Sequence, residues 1–298
     1  MEGQLYKSFD SRLRIALVIA GVVLVTELAG GALSNSLALL SDAFHVLADI
    51  LAITLSIFAL NMAKRPHTSS LSYGYHRTEI LASFINGVML VGVALFIFLE
   101  AYRRITNPSE VQGILLLIFA TLGLAGNIAM VLILRGYSRE NLNIKGAYLH
   151  MWSDAVSSIG VIIGGIIIHF TRFFLIDALI GVFIGVIILM NAFHLLKESG
   201  MILMERVPSG LDPANIVQEI MKNKAVKGIH DLHIWTLTSG FHVLSGHIVV
   251  DDQRISEAED ILAGIDNVLK ESFGVNHTTI QLESESMNLV EMKRSREE

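Results

Sequence analysis

Long apolar stretches dominate the first two thirds of this 298-residue chain. Six are long enough for a helix to cross a bilayer, which takes about 20 residues: Leu13–Leu33, Leu37–Met62, Glu79–Tyr102, Val111–Leu134, Ala147–Phe170 and Phe174–Leu195. The composition agrees, because 52% of the residues are hydrophobic, only 17% are charged and the mean hydropathy is +0.57. The pattern therefore predicts an α-helical membrane protein with six transmembrane helices.

Basic residues between these stretches are concentrated on one side. Lys64, Arg65 and Arg77 follow the second stretch, and Arg135, Arg139 and Lys145 follow the fourth. The opposite connections, 30–36 and 169–172, are short and nearly uncharged. Because positively charged loops stay in the cytoplasm, we predict that both termini are cytoplasmic. Arg103 and Arg104 break this pattern, and we interpret them as side chains that snorkel from the end of their helix.

The pattern changes after residue 207. Residues 208–283 read as helix, strand, strand, helix, strand: Pro213–Lys222, Ile229–Thr238, Phe241–Val250, Glu257–Phe273 and Thr278–Glu283. Asp212 is a predicted N-cap, Ser239-Gly240 a hairpin turn and Ser256–Glu259 a capping box. We predict a transmembrane domain over 1–207, a small cytoplasmic α+β domain (αββαβ) over 208–283 and a disordered charged tail over 284–298.

Two apolar stretches carry the same pair of polar residues, His45 with Asp49 and His150 with Asp154. Residues four apart share one helix face, so each stretch presents an imidazole beside a carboxylate. If the two faces meet near mid-membrane, two nitrogens and two oxygens form a tetrahedral set suited to a zinc-sized ion. The chain has no cysteine, so thiolate ligands are excluded. The alternative is that each pair is only a hydrogen bond between buried polar groups.

The predicted spans contain further polar residues: Glu27, Asp42, Asn86, Glu100, Asn127, Asp177 and Asn191. Asp42 lies one turn from His45 and is a candidate acceptor for the ring N–H of that histidine. We interpret most of the others as hydrogen-bond partners between helices.

The predicted hairpin suggests a second cluster. If the residues flanking its turn pair, Leu232 faces His247 and His230 lies diagonal to it on the same face. These two histidines could form part of another metal site, with Glu283 or Asp260 as the oxygen ligand. The alternative reading is two surface histidines on a solvated face.

Four segments together resemble the cation diffusion facilitator family, in its bacterial zinc-exporting branch: 35–45, 73–79, 146–150 and 230–235. The resemblance covers nearly the whole chain. It implies a homodimer in the inner (plasma) membrane, cytoplasmic domains of a metallochaperone-like fold, and export of Zn²⁺ in exchange for protons.

Matched residue by residue, the resemblance implies a transport site at His45, Asp49, His150 and Asp154. It also implies a regulatory zinc site in the cytoplasmic domain, at His230, His247 and Glu283.

The resemblance has two further consequences for the connecting segments. A charge pair between domains maps onto Arg77 and Glu205. Some relatives carry a loop metal site, but Tyr75 replaces one of its histidines here, which argues against such a site despite His67 and His76 nearby.

Charge balance explains why protons would be exchanged. A divalent ion neutralises two carboxylates, whereas the empty site would hold about two negative charges near mid-membrane, where each costs a few kcal/mol. The empty site should therefore bind protons, and histidine titrates in the right range. The competing hypotheses are an intramembrane metallohydrolase and an uncoupled metal channel or sensor. A hydrolase needs an open coordination position and a general base, as in His-Glu-x-x-His, which is absent here, so we predict no enzyme. No cationic tract suggests nucleic acid.

Overall fold

The computed structural model describes residues 2–63, 65, 67–135 and 142–284. Within the helices, the side chains of residues 2–14, 16, 56, 60, 134, 135, 142–147, 149 and 150 are outside this description. The chain divides into two compact units, residues 1–57 with 83–196 and residues 58–82 with 197–298. Nearly all of the predicted disordered tail lies outside the described residues.

Six long helices form the first unit and extend from it. They are α1 (Glu2–Ser34), α2 (Leu37–Ala63), α3 (Thr78–Thr106), α4 (Gly113–Arg135), α5 (Leu142–Thr171) and α6 (Leu175–Leu203). Each contains a segment long and apolar enough to cross a membrane. The prediction of six apolar helices is thus confirmed, and several helices run on past the apolar stretch. For example, α6 continues beyond Leu195 because Lys197 and Glu198 are good helix formers.

Close helix packing in this unit depends on small residues of α1 and α4. A Cβ atom added to Gly126 of α4 would lie 2.3 Å from Val23 Cγ2, and one added to Gly30 of α1 would lie 2.3 Å from Phe119 Cβ. The absence of side chains at these glycines therefore allows α1 and α4 to approach closely, as is usual where helices pack in a membrane.

Asp177, in the first turn of α6, provides the N-terminal cap of α2. Its carboxylate accepts hydrogen bonds from Ser36 Oγ at 2.5 Å, Leu37 N at 2.5 Å and Ala38 N at 3.3 Å. The carboxylate is almost completely buried. A negative charge at a helix N-terminus pairs with backbone N–H groups that have no partner within the helix. The interaction fixes the start of α2 against α6.

Arg104 completes this cluster, and our interpretation of it as a snorkelling side chain is wrong. Its guanidinium donates to the Asn35 carbonyl at 2.6 Å and lies 3.4 Å from Asp177 Oδ2. It also pairs with Glu100 at 3.1 Å, one turn away on α3. Only 11% of the side chain is exposed. The arginine therefore neutralises the buried carboxylate that caps α2.

The second unit contains a three-stranded sheet and two short helices. Its elements are α7 (Pro213–Ile220), β1 (Val226–Thr238), β2 (Phe241–Val250), α8 (Ile255–Phe273) and β3 (Val275–Ser284). The sheet order is β1-β2-β3, with β1 antiparallel and β3 parallel to β2. Buried apolar residues of both helices pack against the sheet, among them Ile216, Leu244, Ile248, Ile265 and Leu269. This confirms the αββαβ fold.

Of the two helix starts predicted in this unit, one is confirmed and the other is wrong. Asp212 caps α7 as predicted, since Ala214 N donates to its carboxylate at 3.0 Å. The capping box with Ser256 as N-cap is wrong, because α8 begins at Ile255 and its N-cap is Arg254. Glu257, at the third helical position, accepts from Arg254 N at 3.2 Å, so the capping contact lies two residues earlier in the chain than predicted.

The hairpin register also differs from the prediction. Thr238 pairs with Phe241 as expected, but irregularities between 230 and 233 and between 236 and 238 shift the strands. His230 therefore lies directly opposite His247 rather than diagonal to it. Asp231, with φ of 51°, sits at the first irregularity. A left-handed residue of this kind is typical of a β-bulge.

We expect Asp177→Ala to destabilise the first unit of the chain strongly. The substitution leaves Leu37 N and the Arg104 guanidinium without their buried acceptor, and breaking a buried charge pair typically costs about 3–5 kcal/mol. The measurement is the apparent melting temperature of purified protein, followed by size-exclusion chromatography after heating.

The matched control is Glu110→Ala, since Glu110 and Arg172 form an exposed pair whose side chains are 70% and 75% accessible. Such pairs contribute about 0–1 kcal/mol. Equal melting temperatures for the two variants would refute the role assigned to Asp177.

Candidate metal centres

The first candidate centre lies in the first unit, between α2 and α5. Its members are His45, Asp49 and Asp154, here called the membrane cluster, and one potential ligand atom of each lies within 4.8 Å of the others. His45 Nε2 is 3.4 Å from Asp154 Oδ1 and 3.9 Å from Asp49 Oδ2. A tetrahedral zinc ion with bonds of about 2.0–2.1 Å separates its ligand atoms by about 3.3–3.4 Å. The three side chains are therefore already close to ligand spacing.

His150 was predicted as the fourth ligand. Its backbone belongs to α5, one helical turn before Asp154. Its side chain lies outside the described residues, so its participation stays a prediction. Asp154 is buried, whereas His45 and Asp49 are partly exposed.

A carboxylate beside the membrane cluster joins α2 to α5. Asp42 is 2% exposed and accepts hydrogen bonds from Ser158 Oγ at 3.2 Å and Ser157 Oγ at 3.4 Å. The sequence indicates Asp42 only as an acceptor for His45, and the two serines carry no recognisable signal because serine is common in helices of membrane proteins. The bonds hold the two ligand-bearing helices together one turn from the cluster.

The second candidate centre lies on the sheet of the second unit. Its members are His230 of β1, His247 of β2 and Glu283 of β3, here called the sheet cluster. Glu283 Oε1 is 2.6 Å from His247 Nδ1, and Glu283 Oε2 is 3.1 Å from His230 Nε2. The carboxylate is buried, and Gln281 Nε2 also donates to it at 2.9 Å. The histidines therefore converge on one carboxylate instead of being spread over a solvated face.

The bulge in β1 is the reason that the two histidines converge on Glu283. It places the two histidines opposite each other, with ring centroids 5.0 Å apart. Asp260, the other proposed oxygen ligand, is exposed on α8 and does not join this group among the described side chains. Three ligands leave one coordination position open for water or another group.

Residues just before α3 contact other parts of the second unit. Arg77 and Glu205 form an ion pair at 2.6 Å, as the family resemblance implied. His76 stacks on Phe241 with ring centroids 5.7 Å apart. Neither His67 nor His76 joins a metal-binding group among the side chains that the structure describes.

Glu79 belongs to the segment that carries the family resemblance, but no role was predicted for it from the sequence; in the structure it binds the hairpin turn. Its carboxylate accepts hydrogen bonds from Thr238 Oγ1, from Ser239 Oγ at 2.6 Å and from Ser239 N at 3.4 Å. The first turn of α3 therefore binds the tip of the β1–β2 hairpin.

Family models match both parts of the chain. Residues 13–204 match the cation efflux transmembrane domain, and residues 208–285 match the cytoplasmic domain of cation efflux proteins. The chain therefore belongs to the cation efflux family. It is a multi-pass membrane protein that acts as a cation efflux transporter.

Relatives along nearly the whole chain carry more specific names. The cation efflux system protein CzcD of Alcaligenes sp. is 41% identical over 92% of this chain and 86% of its own length. A cadmium, cobalt and zinc/H(+)-K(+) antiporter of Bacillus velezensis is 40% identical over 93% of this chain and 89% of its own length. The zinc transporter ZitB of Pectobacterium atrosepticum is 34% identical, covering 92% and 85%. These names describe transporters, not enzymes.

We expect His247→Ala to weaken zinc binding at the sheet cluster. Removing one ligand should lower the affinity by more than about tenfold, since the loss of even a supporting residue can cost this much. Calorimetric zinc titration is done in the full chain carrying Asp154→Ala, so that the membrane cluster contributes little.

The control variant is His233→Ala, because His233 is exposed and does not belong to the cluster; it pairs at 2.9 Å with Asp231, whose other oxygen is 3.9 Å from His247 Nε2. If His247→Ala and His233→Ala bind zinc equally well, the sheet cluster is not a zinc site.

Proposed function

We propose that this transporter exports Zn²⁺ from the cytoplasm in exchange for protons. The ion would bind to His45, Asp49, His150 and Asp154, and alternating access would expose the site to each side in turn. The observation that carries the proposal is the convergence of three of these residues near ligand spacing, on helices long and apolar enough to span a membrane.

The donor set favours zinc over harder ions. Two imidazole nitrogens and two carboxylate oxygens satisfy a compact tetrahedral ion, whereas Mg²⁺ and Ca²⁺ take oxygen ligands at higher coordination number. Two of the relatives described above are named for zinc, and one of these also for cadmium and cobalt. Zinc is therefore the substrate that we propose, and the related soft divalent ions are competitors for the same ligands.

Proton coupling follows from the charge of the empty site. Asp49 and Asp154 balance a divalent ion, but without it their charges lie in a medium of low dielectric constant. Protonation of the cluster relieves this cost, so metal binding and proton binding exclude each other. The antiporter named above includes both H⁺ and K⁺, so a potassium gradient is a second driving force to be tested.

The remaining parts of the proposal concern assembly and topology. We infer a homodimer, with both termini in the cytoplasm and the membrane domain (1–207) in the inner membrane. The cytoplasmic domain (208–283), which precedes the tail (284–298), would bind zinc at the sheet cluster as a regulatory ligand. The two metal groups lie in different units of the chain, so each can be tested by substitutions that leave the other unchanged.

The decisive experiment is zinc flux into proteoliposomes under an imposed pH gradient. A coupled antiporter accumulates zinc against its gradient when protons flow the other way, and zinc entry is accompanied by a pH change inside. Flux without a pH change would indicate an uncoupled channel. A potassium gradient imposed at constant pH separates the contributions of the two counter-ions.

We expect Asp154→Ala to reduce zinc flux to the level of protein-free liposomes. The substitution removes one ligand and one of the charges that balance the metal, while opening little space. The control is Ser153→Ala, an exposed neighbour on α5. Expression level and dimer fraction are measured for both variants. Normal flux from a well-expressed Asp154→Ala protein would disprove the assignment.

We also expect His45→Asp to increase cadmium flux relative to zinc flux. An imidazole offers one nitrogen in a fixed direction, whereas a carboxylate can bind through one or two oxygens and suits larger ions with higher coordination numbers. The measurement is paired zinc and cadmium flux in proteoliposomes.

The matched control is His169→Asp, at the exposed end of α5. It introduces the same residue away from the membrane cluster. An unchanged cadmium-to-zinc ratio in His45→Asp would show that His45 does not determine selectivity.

A further inference from the structure

Glu27 is a buried carboxyl group that the mechanism above does not use. It lies in α1, inside the apolar segment Leu17–Ser34, and is 0% exposed. Neither of its carboxyl oxygens has a hydrogen-bond partner among the residues that the structure describes. A carboxyl group in this position is unusual, because buried polar groups nearly always have partners.

The packing of α4 leaves space for this carboxyl group. A Cβ atom added to Gly123 would lie 2.3 Å from Glu27 Oε1, so any larger residue would displace the carboxyl. On the next turn of α4, Asn127 presents the same helix face. The carboxyl therefore occupies a specific pocket between α1 and α4.

The groups around this pocket disfavour a charged Glu27. The acidic groups of the neighbouring helices are Asp42 of α2 and Asp154 of α5, both buried. Among its described side chains, α4 contributes no charged residue to the pocket, where Gly123 and Asn127 are neutral. An ionised carboxylate without partners in a membrane interior costs several kcal/mol. The neutral, protonated form is therefore the stable one while the membrane cluster is empty.

A chain of polar groups connects this region to the metal-binding helices. Asn127 Nδ2 donates to Ser158 Oγ at 3.1 Å, and Ser158 Oγ lies 3.2 Å from Asp42 Oδ2. Asn127 Oδ1 is buried without a partner among the described residues. A protonated carboxyl group can donate a hydrogen bond, and Asn127 Oδ1 can accept one. The pocket and the membrane cluster thus belong to one polar region.

We propose that Glu27 binds and releases one of the protons exchanged for metal, in addition to those bound by the membrane cluster itself. The inference rests on the proton-coupled export proposed above and adds to it a residue on α1, outside the ligand set.

In this exchange, Glu27 releases its proton when metal binds and takes up a proton when metal leaves. When a divalent ion binds to the cluster, its positive charge offsets Asp42 and Asp154 and stabilises a negative Glu27. The O–H bond of the carboxyl breaks, the proton passes to water, and the carboxylate remains. When the metal leaves on the other side of the membrane, the carboxylate takes up a proton from water. Metal arrival and proton release are coupled through the electric field and need no direct contact.

The test compares proton release on zinc binding by wild type and by Glu27→Gln. Glutamine has nearly the shape of a neutral glutamic acid but cannot release a proton, so the variant should fold and bind zinc. Purified full-length protein in weak buffer is titrated with zinc, and the released protons are measured with a pH-indicator dye. We expect about one proton fewer per zinc bound in Glu27→Gln. The control is Glu110→Gln, at an exposed site where the carboxylate pairs with Arg172.

Infrared difference spectroscopy gives an independent readout. Wild-type protein should lose the carbonyl band of a protonated carboxylic acid when zinc is added, and Glu27→Gln should lack this band change. Glu27→Asp should restore both the band and the extra proton, although more weakly. If Glu27→Gln proves unstable, the same measurements on Glu27→Asp and wild type still decide, because a shifted carbonyl band identifies the residue.

The outcomes separate the two levels of inference. If wild type releases no protons on zinc binding, the proposed exchange itself fails. If wild type and Glu27→Gln release equal numbers of protons and show the same infrared change, Glu27 is only a packing residue and this inference is wrong.

Discussion

The structure of the first unit, here called the membrane unit because it holds the apolar helices, depends on how each buried carboxyl group is compensated in a medium of low dielectric constant. Asp177 is neutralised by a helix N-terminus and Arg104. Asp42 accepts two serine hydroxyls, and Asp154 lies against the imidazole of His45. Glu27 has none of these partners among the described residues, and we propose a bound proton as its compensation. Because each solution but the last uses a group from another helix, the carboxylates also fix which helices meet.

This arrangement separates the fixed contacts of the unit from the groups that change charge in the mechanism that we propose. The cap on α2 and the serine bonds to Asp42 join α2 to α6 and α5 without any metal. These contacts hold the start of α2 and the neighbourhood of the ligands in place. In the mechanism that we propose, the cluster and Glu27 change charge, as metal or protons balance their carboxylates. A site that is already assembled loses little conformational entropy when the ion binds.

The sequence was sufficient to predict the six helices, because each apolar stretch carries its own signal of length and composition. The spacing of His45 and Asp49 and the turn at Ser239-Gly240 are equally local, and the structure contains both the shared helix face and the hairpin. What could not be predicted depends on distant partners or on irregular backbone. Arg104 gave no sign that it would pair with Asp177, which lies 73 positions away.

The hairpin shows how one irregular residue changes a site. Counting from the turn assumes a regular ladder, in which His230 and His247 are diagonal neighbours. The bulge at Asp231 breaks that assumption. The alternation of apolar and polar residues along the strand does not indicate the bulge, because aspartate can adopt a left-handed conformation at modest cost. The face predicted for both histidines was still correct, because their side chains contact the same carboxylate.

The two clusters differ in how their carboxylates are compensated when metal is absent, and this difference supports our proposal that protons are exchanged at the membrane cluster. In the sheet cluster, Glu283 already accepts hydrogen bonds from Gln281 and both histidines, whose rings are partly exposed to water. The empty sheet cluster is therefore satisfied, and metal can leave it without a large electrostatic cost. The membrane cluster places two carboxylates near one histidine, on helices that are long and apolar enough to cross a membrane. In the mechanism that we propose, this charge would have to be replaced when metal leaves, and for this reason we assign the proton exchange to the membrane unit and not to the sheet cluster.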